Sequence, residues 1–247
     1  MQKKDKISAG FLIIGDEILS GRTNDQNLNF LAKNLTELGI VLCEVRVVRD
    51  VENEIIDALL ALQDKFDYVF TSGGIGPTHD DITSQAVANA FRKDLILNEE
   101  AKEILYQYYG HNNVNEARLK MAYLPQSASL LANPISSAPG FKINNIFVMA
   151  GIPKIFQAMF EACKRDLQLG LKIFTKEINI NLTESIVAFD FANLQKEYPD
   201  VTMGSYPFDN GTSLVFRSTN QILLEEAMQK MIAILKKINF DSILKIV

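Results

Sequence analysis

Tryptophan is absent from the 247 residues, and cysteine and histidine occur only twice each. Cys43 and Cys163 each lie in an apolar-patterned segment, so the sequence predicts two buried thiols rather than a disulfide or a metal pair. Long apolar runs are lacking as well. The run from Ser8 to Ile14, after the charged start Met1 to Lys6, is too short for a signal sequence or a membrane span, which points to the cytoplasm and away from a membrane partner. Positive charge is not in surplus. With a net charge of -5 and lysine and arginine scattered along the chain, there is no electrostatic footprint for a polyanion, and nucleic acid is excluded as a first expectation. Internal repeats and low-complexity segments are also missing.

What is present is the composition of an ordinary globule: 47% apolar and 22% charged residues. Apolar runs of strand length alternate with stretches of helical period through the first two thirds, in the order β-α-β-α-β-α. The strands are expected at Ala9 to Ile14, Ile40 to Val48 and Tyr68 to Thr71. Between them, Leu28, Leu31, Ala32, Leu35 and Leu38 form one helical stripe ended by Gly39, and Ile55, Ala58, Leu59 and Leu62 form another. A third helix starts near Asp81, and Asn98 to Tyr123 reads as two helices broken at Gly110, an excursion beside the sheet. Ser129 to Leu131 and Asn145 to Met149 return as strands, and Pro153 opens a further helix. The expected class is α/β, a three-layer α/β/α arrangement with a mostly parallel sheet covered on both faces. Near Gly170 the pattern changes to alternation over Lys172 to Asn181. A boundary is therefore expected there, with residues 1–169 forming the α/β domain and 170–247 a small α+β domain, with a helix over Glu184 to Lys196, strands at Val201 to Tyr206 and Ser213 to Arg217, and a helix carrying Leu224 to Leu235.

The strongest chemical signal is the stretch Thr71 to Thr83, TSGGIGPTHDDIT, between a buried strand and a helix. Ligands of open α/β sheets bind beyond the carboxyl ends of the strands, where this loop falls. Its glycines permit a sharp turn and close approach to a ligand, and free amides before a helix favour an anion, phosphate first. The loop is neither a P-loop, lacking Gly-Lys-Ser/Thr, nor a dinucleotide fingerprint, lacking the glycine spacing. Asp80 or Asp81 alone could cap the helix. Two carboxylates leave spare ligands for Mg2+ or a similar divalent metal, with Asp50 a third. His79 and His111 read as solvated or structural. A second polar stretch, GDEILSGRTNDQN at 15–27, also follows a central strand; Thr23 or Asn24 can serve as helix caps, but Asp16 and Glu17 have no such explanation.

At GDEILSGRTNDQN, at SGGIGPTHDDIT over 72–83 and at the APGF turn over 138–141, the chain resembles the molybdopterin-binding domain of molybdenum-cofactor biosynthesis, and within it the amino-terminal part of the CinA (competence/damage-inducible protein A) family. The resemblance covers roughly residues 8–168. It continues more weakly through Thr183-Glu184-Ser185 and Gly204-Ser205-Tyr206-Pro207. It implies a pocket around the Gly-Gly loop, with Asp81 matching the acidic position tied to metal and ligand chemistry, a nucleotide or pterin ligand, and a homo-oligomer. It also implies metal-dependent hydrolysis of a nucleotide diphosphate compound such as ADP-ribose or FAD, or else non-catalytic binding of molybdopterin or a nucleotide. On the first reading Ser72, Gly73, Gly74, Gly76, Thr78, Asn24 and Asn27 bind the ligand, Asp81, Asp80 and Asp50 hold the metal, and Asp81, Asp16 and Glu17 are catalytic. The family's carboxy-terminal amidase domain has no counterpart here, so that activity is expected to be absent. Ala150 and Lys154-Ile155 depart from the family pattern, as does Thr183.

Overall fold

The computed structural model describes residues 7–239 and 241–247, so the charged start lies outside the described residues. The chain forms two compact units, one ending at Gly170 and the other running Leu171–Val247.

The first unit contains, in chain order, β1 (Ile7–Ile14), α1 (Asp16–Leu19), α2 (Asn27–Glu37), β2 (Ile40–Val48), α3 (Glu52–Gln63), β3 (Tyr68–Ser72), α4 (Thr83–Ala90), β4 (Leu95–Leu97), α5 (Glu99–Tyr109), α6 (Glu116–Lys120), β5 (Tyr123–Pro125), β6 (Ser129–Leu131), β7 (Gly140–Ile143), β8 (Ile146–Met149) and α7 (Pro153–Cys163). Six strands form the main sheet in the order β2-β1-β3-β8-β7-β6. Neighbours from β2 to β8 are parallel. The β8-β7-β6 edge is antiparallel. Because side chains alternate along a strand, β1 sends Leu12 and Ile14 to one face against Ile55, Leu59 and Leu62 of α3. It sends Phe11 and Ile13 to the other, against Leu31 and Leu35 of α2 and Phe156 and Phe160 of α7. Every one of these is buried, which is why β1 reads as a continuous apolar run. The fold is a three-layer α/β/α sandwich with a mostly parallel sheet.

Three details differ from the sequence reading. The excursion holds one helix of useful length, α5; after Gly110 come a single 3-10 turn, His111–Asn113, and the five-residue α6. It is bracketed by β4 and β5, which pair as a separate antiparallel ribbon. Each strand is three residues long, too short to show a period. Cys43 is exposed, not buried. It lies on β2, the edge strand, whose outer face with Val41, Val45 and Val47 meets solvent.

The second unit is built from β9 (Phe174–Ile180), α8 (Glu184–Glu197), β10 (Thr202–Phe208), β11 (Gly211–Ser218), α9 (Gln221–Ile238) and β12 (Ile243–Ile246). Its sheet has the order β10-β11-β9-β12 and is wholly antiparallel. Ile178, Ile180, Leu214 and Phe216 face Val187 and Leu194 of α8 and Met228, Met231 and Leu235 of α9, so both helices cover one side. Asn220 caps α9 by accepting from the amides of Ile222 and Leu223. The two short motifs of this unit meet, since the Ser205 hydroxyl donates to Glu184 Oε1 at 2.6 Å. Among the described residues no helix is long and apolar enough to cross a membrane.

Candidate functional site

The parallel strands β1, β3 and β8 end at Ile14, Ser72 and Met149, and the chain leaves each of them toward the same crevice. After β3 the backbone turns through Gly73 (φ 110°) and Gly74 (φ 68°), a conformation that L residues rarely adopt. A Cβ on Gly73 would stand 2.1 Å from the Ile14 carbonyl oxygen, and one on Gly74 2.1 Å from Thr83 Oγ1. Glycine is therefore required at both. Thr83, fully buried at the start of α4, ties the loop down: its amide donates to the Gly74 carbonyl (2.9 Å) and its hydroxyl to the Gly73 carbonyl (3.0 Å).

The Gly73 amide is not available to a ligand. It donates to the Met149 carbonyl at 3.1 Å, continuing the sheet, and this corrects the expectation that it binds phosphate. The amides of Gly74, Ile75 and Gly76 have no acceptor among the described residues. These three residues line a cleft of about 790 Å³, within the size range of small-molecule sites. Further along the loop, Asp81 Oδ2 accepts from both the amide (2.8 Å) and the hydroxyl of Thr78, and Lys120 Nζ donates to the Thr78 carbonyl. Thr78 and Asp81 thus brace the loop, and Thr78 itself is not on the cleft wall.

Glu17, Asp50, Asp80 and Asp81 all face this cleft. A second recess of about 620 Å³ is also lined by Glu17, Asp50 and Asp80, with Asp16 and one cationic side chain, Arg22, added. Asp50 Oδ2 accepts from the Asp16 amide at 3.0 Å. Its carboxyl is nevertheless pushed above its ordinary pKa, first by burial and then by the charges of Glu17, Asp16 and Asp80, with the Asp16 hydrogen bond opposing. Negative charge is thus crowded at this end. Yet no group of three or more His, Cys, Asp or Glu side chains among the described residues could hold a metal by itself. Any cation must find other ligands for most of its shell.

The remaining residues singled out from sequence divide sharply. Ser72 and Asn27 are buried, and Asn27 Nδ2 donates to Ser72 Oγ and to the Gly151 carbonyl, both at 2.8 Å. They clamp the loop after β8 to the end of β3 rather than line the cleft. A Cβ on Gly151 would come 3.3 Å from Gly73 Cα, so the two loops pack backbone on backbone. Asn24 is exposed and away from the cleft, where Thr23 stands instead. The His79 side chain is 98% exposed, and the His111 ring stacks on Tyr106 at 4.4 Å. Sequence reasoning missed Tyr109, Arg118 and Ser136, which also line the cleft. Tyr109 and Ser136 gave only the signal that they flank turns, at Gly110 and at Asn133-Pro134, and Arg118, inside α6, gave none.

Residues 10–168 match the family described as a probable molybdopterin binding domain. The chain belongs to this family. Residues 172–242 match the middle domain of FAD synthase. Its relatives are CinA-like: a CinA-like protein of Fusobacterium nucleatum is 34% identical over 175 residues, covering 70% of this chain and 42% of that protein. A Pyrococcus furiosus protein is 38% identical over 167 residues, 62% of this chain and 66% of its own length, so the chain spans slightly less than two thirds of that relative. An Archaeoglobus fulgidus protein matches more extensively, at 28% identity over 89% of this chain and 95% of its own. Among solved structures, the protein CinA from Thermoplasma acidophilum superposes with a TM-score of 0.62 at 33% identity, covering 66% of this chain and 99% of that one.

Proposed function

We propose that the cleft binds a nucleotide diphosphate compound of the ADP-ribose or FAD type and hydrolyses its diphosphate bond with the help of a divalent cation such as Mg2+, in the cytoplasm. One observation carries this reading: unengaged amides at Gly74–Gly76 and a crowded set of carboxylates face one cleft. Amides bind phosphate oxygens, and carboxylates do not unless a cation stands between them. The absence of a three-carboxylate group fits Mg2+, which keeps water and takes one or two carboxylates plus phosphate oxygens. Asp50 and Asp80 would hold it, with water and phosphate oxygens completing its shell while Asp81 stays engaged with Thr78; the cation would neutralise charge building up at phosphorus. The Asp50 pKa is raised first by burial and then by the charges of Glu17, Asp16 and Asp80, and a cation beside it would offset both.

In the hydrolysis, water adds to one phosphorus, the bridging P–O bond breaks, and the water's proton is taken up by a carboxylate. Glu17 would take it up, since it lines both recesses and, unlike Asp50 and Asp80, is not assigned to the cation, with Asp16 beside it. Chromatography of ADP-ribose, FAD and NAD incubated with and without Mg2+ tests the proposal. Metal-dependent release of two monophosphates, lost in Asp50→Asn and Glu17→Gln, is expected. Undiminished turnover in both variants would sink it.

A second reading, a non-catalytic binder of a pterin or nucleotide, draws on the engagement of Asp81 as a brace for Thr78 and on the family's molybdopterin-binding description. On that reading, thermal stabilisation by the ligand survives chelation and no product forms. Self-association belongs to the proposal too, and light scattering at two protein concentrations checks it.

A further inference from the structure

The geometry points to a ring-recognition subsite formed by Arg118 on Tyr109, which takes a planar heteroaromatic group joined to the diphosphate; this rests on the hydrolase reading and extends it to the part of the ligand that carries identity. The guanidinium of Arg118 lies over the Tyr109 ring, 4.1 Å from its centroid. Its Nη1 donates to the Asn113 carbonyl. Both side chains line the cleft, although neither lies in the loops that hold the phosphate end.

Three features set this region apart from the acidic end. Arg118 makes no ion pair among the described residues, even though the same cleft contains carboxylates. It is held instead by a neutral carbonyl and a ring, so its position does not depend on a counter-charge. The cleft wall beside it is largely apolar: Tyr109, Met121 and Ala138 line the cleft and pack with Ile75 against the core cluster on the α3 side of the sheet. Ser136 adds one directed group. Its oxygen accepts from Asn133 Nδ2 at 2.7 Å, and its own proton has no acceptor among the described residues.

A guanidinium seated over one ring and tied to a backbone carbonyl can offer its open face and remaining donors to a second ring and its edge. A hydroxyl proton seeking an acceptor matches a ring nitrogen or carbonyl. A bidentate phosphate contact takes two parallel N–H groups of the fork, and with an Nη1 donor spent on the Asn113 carbonyl fewer such pairs remain. With the phosphate held at Gly74–Gly76, the chemistry here is that of an adenine-like or flavin-like ring. Stacking of this kind is sequence-tolerant, so the Ser136 proton is what discriminates among rings.

The test is calorimetric titration of the full chain, with Mg2+, using two probes that cannot be cleaved: α,β-methylene-ADP and methylenediphosphonate. Arg118→Ala and Arg118→Lys are both expected to weaken the first about tenfold or more and leave the second within about twofold, because stacking of a base on a planar group is worth on the order of one such factor. Arg118→Lys keeps the charge and loses the plane, so it carries the result if the alanine variant fails to fold. Equal weakening of both probes makes Arg118 a phosphate clamp and overturns the subsite. So does a wild-type protein that binds the nucleoside probe no more tightly than the bare diphosphonate, an outcome that leaves the phosphate loop intact. Binding of neither probe removes the phosphate reading and the subsite with it.

Discussion

Replacing Gly74 with alanine tests how the loop is built. At φ 68° a non-glycine residue is strained, at a cost of about 1–2 kcal/mol. The added Cβ would also stand 2.1 Å from Thr83 Oγ1 and 3.1 Å from Thr83 Cβ, and Thr83 is fully buried. Moving it endangers the 3.0 Å bond to the Gly73 carbonyl, and a buried polar group left without its partner costs about 1–3 kcal/mol. The expected loss is therefore roughly 2–5 kcal/mol, a large share of the roughly 5–15 kcal/mol typical of a domain. Urea unfolding with fixed m-values measures it. Two comparisons isolate the mechanism. Gly21 also has a left-handed φ, 73°, but nothing lies within 4 Å of its Cβ position, so Gly21→Ala should cost only the backbone term. In a Thr83→Ala background the closest clash is gone, and the Gly74→Ala penalty should shrink by about 1 kcal/mol or more, a coupling expected only of residues in contact. Equal penalties at Gly21 and Gly74, or no coupling to Thr83, would refute the steric account.

Asp50 gives a pH prediction. Its folded pKa is raised, so the protonated group favours the folded state; that contribution is fully present below the ordinary value of 3.8 and is lost as pH rises through the folded value. Asp50→Asn should therefore be more stable than wild type at neutral pH, with the gap closing as the solution is acidified, and Mg2+ should lower the Asp50 carboxyl pKa followed by NMR. The Cys163 thiol is pushed up to about 12 by burial, while Cys43 is exposed, so a thiol reagent should titrate one group in the native protein and two after denaturation. Arg92 holds a φ of 52° at the exposed end of α4, and Arg92→Gly should raise stability by about 0.5–1 kcal/mol in the same urea assay. A loss of stability there would mean that the side chain makes a contact worth more than the backbone strain.

Much of the first unit was legible because its central strands β1, β3 and β8 are buried on both faces. β1 could be read to within two residues from its continuous apolar run and β2 from an apolar run broken only at Glu44 and Arg46, and Gly39 and Pro153 mark helix ends by backbone geometry alone. The Gly-Gly turn was legible for the same reason. What it does with each amide was not, because only the register of β8 against β3 shows that Gly73 donates to Met149. Residue type likewise concealed the division of labour among the polar groups. Asn27 and Ser72 look like ligand contacts in a polar motif, but burial turns them into a clamp. Arg118 stands in a five-residue helix with no period of its own, and it reaches the cleft only through the packing of the excursion on α3 and α4.

The same geometry explains why the loop serves both fold and site without compromise. Its first residue is committed to the sheet, its last to α4 through Thr83, and its Asp81 to Thr78, so each end is fixed by bonds that no ligand needs to break. Between them, three consecutive amides are left unpaired in a wall that closes against Gly151. Unpaired amides at a strand end carry a free-energy cost that water offsets only while the cleft stays open. A bound phosphate removes that cost. The carboxylates carry the opposite one, since the ionised form of Asp50 is disfavoured first by burial and then by the charges of Glu17, Asp16 and Asp80, a cost that a cation would offset. An anion alone would relieve the amides and aggravate the carboxylates; a cation alone would do the reverse for no gain at the amides. Binding of phosphate and of divalent metal should therefore be mutually reinforcing, and by linkage the factor by which Mg2+ tightens methylenediphosphonate must equal the factor by which methylenediphosphonate tightens Mg2+. Titrations in both orders that gave a factor of one would separate the two halves of the cleft and leave the amides to bind alone.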